Sequence, residues 1–167
     1  IEVRKADLPW MVEARAVFGL HEVRDNAKLR AWLKSDGKTL GDPKALPWCG
    51  DFVETAIKLG LPSEPFTGPV GENPYWARNW EKFGVPVRPT YGAIMAFVRD
   101  GGGHVGFAVG EDAECYHVLG GNQGNTVSVA RLDKRRMTGC RWPSSVPLPA
   151  INLPKMSANA PKSVNEF

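Results

Sequence analysis

The sequence predicts an α+β protein, with helices in the first half of the chain and an antiparallel sheet in the second. Up to about residue 84, apolar residues recur at helical spacing. From residue 92 onward, short apolar runs are separated by turns rich in glycine, asparagine and aspartate. Turns this short join antiparallel strands, because a parallel connection needs a crossover of about a dozen residues or more. We therefore expect N-terminal helices packed on a sheet of about five antiparallel strands.

Helical segments are marked by the residues that start or stop them. Asp7 and Pro9 open the first segment, and Gly19 closes it. Another begins at Cys49, directly after a proline-containing loop, and ends at Gly60 in the usual C-terminal position. The predicted helical segments are 7–19, 25–35, 49–60 and 73–84.

Strands are predicted wherever β-branched and aromatic residues form short runs between turns. The predicted strands are 92–99, 104–110, 114–120, 126–132 and 139–142. After residue 142 the chain holds five prolines and little periodicity. We therefore divide it into one folded domain, residues 1–142, and a Pro-rich extended tail or linker, residues 143–167.

Composition and charge exclude several classes of protein. Hydrophobic residues make up 43% of the 167 residues and charged residues 23%, as in an ordinary globular domain. The longest apolar runs, such as 93–98, are far shorter than the roughly 20 residues that cross a bilayer, so we expect no membrane anchor. The net charge is +3 and the positive residues are scattered, so we expect no nucleic-acid partner. The domain is expected to act as a monomer.

Cys49 is the candidate nucleophile because it stands at a predicted helix start. Unpaired N–H groups there lower the pKa of a thiol. The same groups can stabilise the negative oxygen that forms when a thiolate attacks a carbonyl. The alternative is a buried structural cysteine. The flanking Trp48, Gly50 and Asp51 favour the nucleophile, since they place Cys49 at a loop-to-helix junction beside small or polar residues.

A nucleophilic cysteine needs a histidine base from another element. His104 follows three glycines and begins a strand, so the turn positions its backbone while its side chain projects at the end of the sheet. His117 lies inside a strand and suits either a core or a site position. His21 precedes the cysteine, and a solvated or capping role fits it better. His104 is therefore the candidate base.

The imidazole of such a base is usually held by a polar side chain. Antiparallel pairing of strands 104–110 and 114–120 would return the chain to His104 at Asn122 or Gln123. We expect Asn122 to orient the ring, with Gln123 as the second choice. The alternative is that these residues only form a turn, which asparagine and glycine favour.

A metal site is the weaker interpretation of the remaining cysteines and histidines. Cys115, His117, Cys140 and His104 are ligand types that zinc prefers, but the single residue between Cys115 and His117 on one strand is a rare spacing for two zinc ligands. A bridge between Cys115 and Cys140 would require neighbouring strands. The glycines before His104 precede a strand rather than a helix, so they form no phosphate loop. We expect no metal and no cofactor.

Some large or polar residues near Cys49 are candidates for a substrate groove. Trp48 and Trp76 could stack on sugar rings or peptide stems, although tryptophan favours the core over a groove by roughly two to one. Asp51 and Gln123 are the polar candidates for the same groove.

Three motifs in this order resemble the NlpC-type and CHAP (cysteine, histidine-dependent amidohydrolase/peptidase) families. They are LPWCGDFV (46–53), GHVGF (103–107) and GGNQG (120–124), and the segment NPYWARNW (73–80) is similar to a Trp-bearing helix of phage-encoded members. The resemblance covers about residues 10–142. It implies a papain-like core with Cys49 as nucleophile, His104 as base and Asn122 as orienting residue. One position departs from the pattern, because many CHAP members carry glutamate where this chain has Gly120.

The resemblance also implies a substrate and a setting. Members commonly hydrolyse bacterial peptidoglycan, as endopeptidases or N-acetylmuramoyl-L-alanine amidases, through a thioester and without a cofactor. This implies action at the cell wall, in the periplasm or outside the cell. The start of the sequence shows no secretory segment, so delivery by phage lysis or injection machinery is an expectation. The alternatives are a catalytically silent wall-binding or assembly module, and an acyltransferase or general protease on the same fold.

Overall fold

Helices cover one face of a sheet in the computed structural model, which describes residues 7–150, 152–164 and 166. The segment 49–60 is helical from the predicted first residue to the predicted last one. The segment 73–84 instead holds a 3-10 helix, and the short α4 before it was not predicted. The helices are α1 (Pro9–Ala16), α2 (Asn26–Lys34), α3 (Cys49–Gly60) and α4 (Pro69–Glu72), with 3-10 helices at Ala77–Lys82 and Lys134–Arg136.

All strand pairs in the sheet are antiparallel, which confirms the α+β prediction. The strands are β1 (Val85–Pro86), β2 (Ile94–Arg99), β3 (Gly102–Glu111), β4 (Cys115–Gln123), β5 (Thr126–Asp133) and β6 (Met137–Trp142). Their order is β1-β6-β2-β3-β4-β5. The predicted meander is therefore present from β2 to β5, but β6 pairs with β2 rather than β5, and β1 adds a sixth strand.

Helix α3 lies directly on β3 and β4. The rings of Phe52 and Phe107 are 5.9 Å apart. A Cβ added to Gly121 would fall 2.6 Å from the ring of Trp48 and 2.8 Å from Phe52. Only a residue without a side chain fits there, because non-bonded carbon atoms pack at about 3.5–4.0 Å. Gly121 therefore lets the start of α3 approach the end of β4.

The beginning of β3 and the end of β4 separate from each other. Pairing between the two strands extends only to Phe107 and Leu119. The pairing of β4 with β5 shifts register between Gly120 and Gln123, and the residue in this bulge, Asn122, has a φ of 60°. The bulge changes the direction of the last β4 side chains.

Residues 152–164 and 166, here called the C-terminal arm, lie along the sheet. Lys155 bridges to Glu111 of β3, and Lys162 bridges to Arg131 of β5. Near its end, the arm places the carboxylate of Glu166 2.5 Å from Arg136. The arm thus brings a buried acidic side chain to the sheet from residues that are distant in sequence.

All three cysteines are free. Cys115 lies on β4 and Cys140 on β6, with β2 and β3 between these strands. The bridge considered from the sequence is therefore absent, because it would require neighbouring strands. Of the helices in the described ranges, none has the length and apolar character needed to cross a bilayer.

Candidate active site

Cys49 is the first residue of α3, and only 5% of it is exposed. The loop before the 3-10 helix covers this helix end: a Cβ on Gly50 would lie 2.6 Å from the carbonyl oxygen of Pro74 and 2.7 Å from that of Tyr75. Since both contacts are to backbone, a larger residue at position 50 would displace the loop or the helix. The thiol therefore sits at a closely covered helix N-terminus.

The surroundings of Cys49 act on its pKa in opposite directions. Burial raises the pKa of the thiol, and this is the largest effect. The backbone N–H of Val105, the charge of Arg99 and the backbone N–H of Gly50 lower the pKa but do not cancel the burial. The resting group is therefore a neutral thiol, and the helix start alone does not supply the expected thiolate.

His104 is fully buried, and its Nε2 atom lies 2.8 Å from Oε1 of Gln123. Gln123 donates both hydrogens of its amide nitrogen, to the carbonyl oxygens of Val118 (3.1 Å) and Ser128 (2.6 Å). Its Oε1 must therefore accept from Nε2–H of the imidazole, since a side-chain amide has only one oxygen and two N–H donors. In the neutral ring this leaves Nδ1 with a lone pair. Nδ1 is buried and has no hydrogen-bond partner among the described residues.

Burial also decides the charge of His104. It lowers the pKa of the imidazole to about 4, against smaller upward effects from the carboxylate of Glu166 and the hydrogen bond to Gln123. The charges of Arg136 and Arg99 lower the pKa further. At neutral pH the ring is uncharged, so its Nδ1 lone pair is available to take a proton.

Cys49 and His104 come together at the backbone of β3, but no hydrogen bond joins their side chains. The thiol lies beside the N–H of Val105, the residue that follows His104. This part of β3 precedes its pairing with β4. The thiol at the start of α3 thus contacts the backbone next to His104, and both candidate groups are neutral.

The two sides of β4 carry different parts of the site. A Cβ on Gly120 would lie 3.3 Å from Nε2 of His104, whereas Gly121 faces the ring of Trp48. Successive strand residues point to opposite faces. The imidazole therefore lies on the face of β4 opposite to Trp48 and α3, so the ring or the start of α3 must move before Nδ1 can reach the Cys49 thiol.

In this geometry Gln123, the second choice from the sequence, holds the imidazole, and Asn122 does not. An undistorted antiparallel ladder would place Asn122 opposite His104. The register shift at the end of β4 and the left-handed backbone of Asn122 turn its side chain away. Asn122 instead lines a pocket beside loop 43–47. A strand bulge of this kind is not visible in a sequence that is rich in glycine and asparagine.

Asp51 does not line a groove. It is fully buried, and its carboxylate accepts hydrogen bonds from the Thr39 hydroxyl (2.8 Å) and the Leu40 N–H (3.0 Å). Burial raises its pKa to about 6 despite these bonds. Asp51 thus ties the loop before α3 to the helix, and a substrate does not reach it.

The two tryptophans proposed for the groove differ in exposure. Trp48 is buried, and its Nε1 donates to Glu22 at 3.0 Å. Trp76 is 57% exposed and borders a small pocket with Arg78 and Asn79. Of the pair, only Trp76 offers a ring face at the surface.

Two acidic residues near the site were missed by the sequence reasoning. Glu54 is buried, and its carboxyl group lies beside that of Asp36, to which it can donate a hydrogen bond when it is protonated. Burial and the neighbouring Asp36 raise its pKa to about 9, so it is protonated at neutral pH. The only sequence signal was its position one turn after Asp51. Glu166 gave no signal, because it reaches the His104 region through the C-terminal arm.

His117 belongs to a different cluster. Its Nε2 lies 2.7 Å from Asp112, which also binds Arg131 at 2.8 Å. Across the described ranges, no three His, Cys, Asp or Glu side chains are arranged to hold a metal ion. The residues weighed for zinc thus do not converge: Cys115 and Cys140 are on separated strands, and His104 binds Gln123.

Comparison with known proteins adds no relative to this picture. No family model matches the chain, and neither a curated protein nor a solved structure shows significant similarity to it.

Proposed function

We propose that this chain is a cysteine hydrolase of amide bonds, with Cys49 as nucleophile and His104 as base, on a papain-like core formed by α3 and the sheet. One observation carries the proposal. The bond between His104 and Gln123 fixes the ring tautomer and leaves a buried Nδ1 lone pair without a partner. The residue after His104 places its N–H against the Cys49 thiol.

The proposed reaction starts from two neutral groups. Once the imidazole and the thiol are within hydrogen-bond distance, Nδ1 of His104 takes the proton of the Cys49 thiol as the sulfur attacks the substrate carbonyl carbon. N–H groups at the start of α3 stabilise the oxyanion. The imidazolium then gives its proton to the leaving amine as the carbon–nitrogen bond breaks, and a thioester remains. A water molecule, deprotonated by the same ring, releases the carboxylate and restores the thiol.

Peptidoglycan is the proposed substrate, and the bacterial cell wall is the proposed place of action. The order of the motifs LPWCGDFV, GHVGF and GGNQG supports this choice, and so does the exposed ring of Trp76. The bond is either a peptide bond within the stem or the amide that joins the stem to the glycan.

Mass spectrometry of fragments released from purified peptidoglycan tests the proposal. Wild-type protein should release either trimmed muropeptides or free stem peptides, and Cys49→Ser protein should release neither. Cys115→Ser is the matched control, because Cys115 is also buried and free, and it should retain activity. Fragment release by Cys49→Ser at the wild-type rate would disprove the role of Cys49.

A catalytically silent wall-binding module is the second candidate. The low exposure of Cys49 and its raised pKa favour it. The enzyme should react with iodoacetamide at Cys49 much faster than at Cys115 or Cys140 once a wall fragment is bound. A silent module should show equally slow alkylation at all three.

A further inference from the structure

We propose that Asn122 is the polar anchor of a subsite that binds the peptide part of the substrate; this inference rests on the proposed hydrolase function. Asn122 is only 5% exposed. Its carboxamide has no protein partner among the side-chain hydrogen bonds of the described segments, and it is not among their fully enclosed polar groups. It lines a pocket of about 460 Å³. A carboxamide that opens into a pocket without a protein partner is available to bind the polar groups of a ligand.

The backbone of Asn122 is held in an unusual conformation. Its φ of 60° lies in the left-handed region, which costs energy for residues other than glycine, although asparagine tolerates it best. The neighbouring Gln123 fixes this geometry through its pairing with Thr126 and its bond to His104. Residues held in sparsely populated conformations cluster at ligand sites. Here the bulge aims a carboxamide into a pocket rather than at the imidazole.

The pocket lies next to both proposed reactive groups along the chain. One wall is the loop 43–47, which leads through Trp48 to Cys49. The other wall contains Asn122, which directly precedes the partner of His104. A ligand held by Asn122 therefore sits between the segments that position the thiol and the imidazole.

The lining favours a peptide over a sugar. A carboxamide both donates and accepts, which matches the two polar groups of a peptide bond. Pro43, Ala45 and Leu46 give apolar contact for a small aliphatic side chain, and Glu22 and Lys44 supply one charge of each sign. None of the described residues that line the pocket is aromatic, whereas sugar rings are commonly bound by stacking on aromatic side chains.

Steady-state kinetics of Asn122→Gly on a soluble muropeptide tests the role of the carboxamide. Glycine removes the amide but suits a φ of 60°, so the fold should persist, which an unchanged Tm would verify. We expect KM to rise about 10-fold, the worth of one hydrogen bond, with kcat within about 3-fold and the same pH profile. Asn159→Gly is the control, because Asn159 is an exposed asparagine that does not line this pocket. It should leave KM unchanged.

Binding to Cys49→Ala protein separates this inference from the proposed function. In an NMR titration, an L-Ala-D-Glu dipeptide should shift the side-chain amide resonances of Asn122, and N-acetylglucosamine should not. A wild-type protein that cleaves no peptidoglycan would end the proposed function while the dipeptide still shifts Asn122. Cleavage with an unchanged KM in Asn122→Gly and no dipeptide shift would overturn the subsite alone. A loss of kcat with a displaced pH profile would also overturn it, since that result would place Asn122 on the imidazole.

Discussion

His104 and His117 are both strand histidines that are buried and bonded through Nε2, but their partners differ in charge. His104 lies 2.8 Å from the neutral amide of Gln123. His117 lies 2.7 Å from the carboxylate of Asp112. Arg131 is the main reason that the pKa of Asp112 is held far below its usual range, so this carboxylate is ionised at any working pH.

The comparison separates a candidate base, whose partner is a neutral amide, from a histidine that belongs to an ion-paired cluster. An amide offers the ring a hydrogen bond without charge. The hydrogen bond with Gln123 raises the pKa of His104 less than burial lowers it, so the pKa falls to about 4. The ring is then neutral with one free lone pair, which is the form that a base requires.

The largest expected difference is in activity. His104→Gln should lower kcat by about 10³-fold, because general acid–base catalysis contributes about 10²- to 10⁴-fold. His117→Gln should change kcat less than about 3-fold while lowering Tm, since it removes one partner of Asp112. Rates on a soluble muropeptide and thermal unfolding of both variants check this contrast. Equal losses of activity would remove the distinction between the two histidines.

The next largest effect is on stability in acid. The folded pKa of His104 is about 4, below the unfolded value of about 6.5. The unfolded chain therefore binds more protons between pH 6.5 and 4, and folding free energy is lost as the pH falls through this window, by on the order of 3 kcal/mol. Urea unfolding of wild type and His104→Gln across this range measures the loss.

The His104→Gln variant also controls for Asp51. Asp51 has a pKa of about 6 and titrates in the same pH window in both proteins, so the difference between them reports His104. A wild-type protein whose stability follows that of the variant down to pH 4 would show that His104 is not buried as a neutral ring.

Gln123→Glu would give the ring of His104 a carboxylate partner, as Asp112 is for His117. A carboxylate beside Nε2 should raise the pKa of His104, so the acidic limb of the pH dependence of kcat/KM should move to higher pH by about 1 unit or more. Gln123→Ala should lower kcat without this displacement. Profiles that coincide for the wild type and Gln123→Glu would show that Gln123 does not bind the ring.

The smallest expected effect comes from the C-terminal arm. The carboxylate of Glu166 raises the pKa of His104, so Glu166→Gln should move the acidic limb to lower pH, opposite to Gln123→Glu, by less than about 1 unit. Glu111→Gln is the control, since Glu111 binds the arm through Lys155 but is not among the main charges that act on His104. A limb that moves upward in Glu166→Gln would contradict the placement of this charge.

The sequence predicts the parts of this site that depend on local signals. A proline-containing loop, Cys49 and a terminal Gly60 mark α3, and the glycines before His104 mark the start of a strand. The antiparallel meander from β2 to β5 follows from short turns. These features require only neighbours along the chain.

The remaining parts depend on contacts between distant residues. The choice between Asn122 and Gln123 depends on a bulge that the Gly-Gly-Asn-Gln sequence permits but does not impose. Glu166 acts on His104 from about 60 residues further along the chain, a separation that no periodicity reveals. The neutral thiol of Cys49 follows from how closely the Pro74–Tyr75 backbone covers the helix start, which only the folded chain determines.

The contact between Gly121 and Trp48 makes these two positions genetically coupled. A methyl group at position 121 has no room beside the indole, so Gly121→Ala alone should push the start of α3, and with it Cys49, away from β4. A smaller ring at position 48 would relieve the clash with the indole and leave only the contact with Cβ of Phe52. The double variant Gly121→Ala with Trp48→Phe should therefore be less impaired than the product of its single variants, a case of compensatory epistasis at the base of the proposed nucleophile.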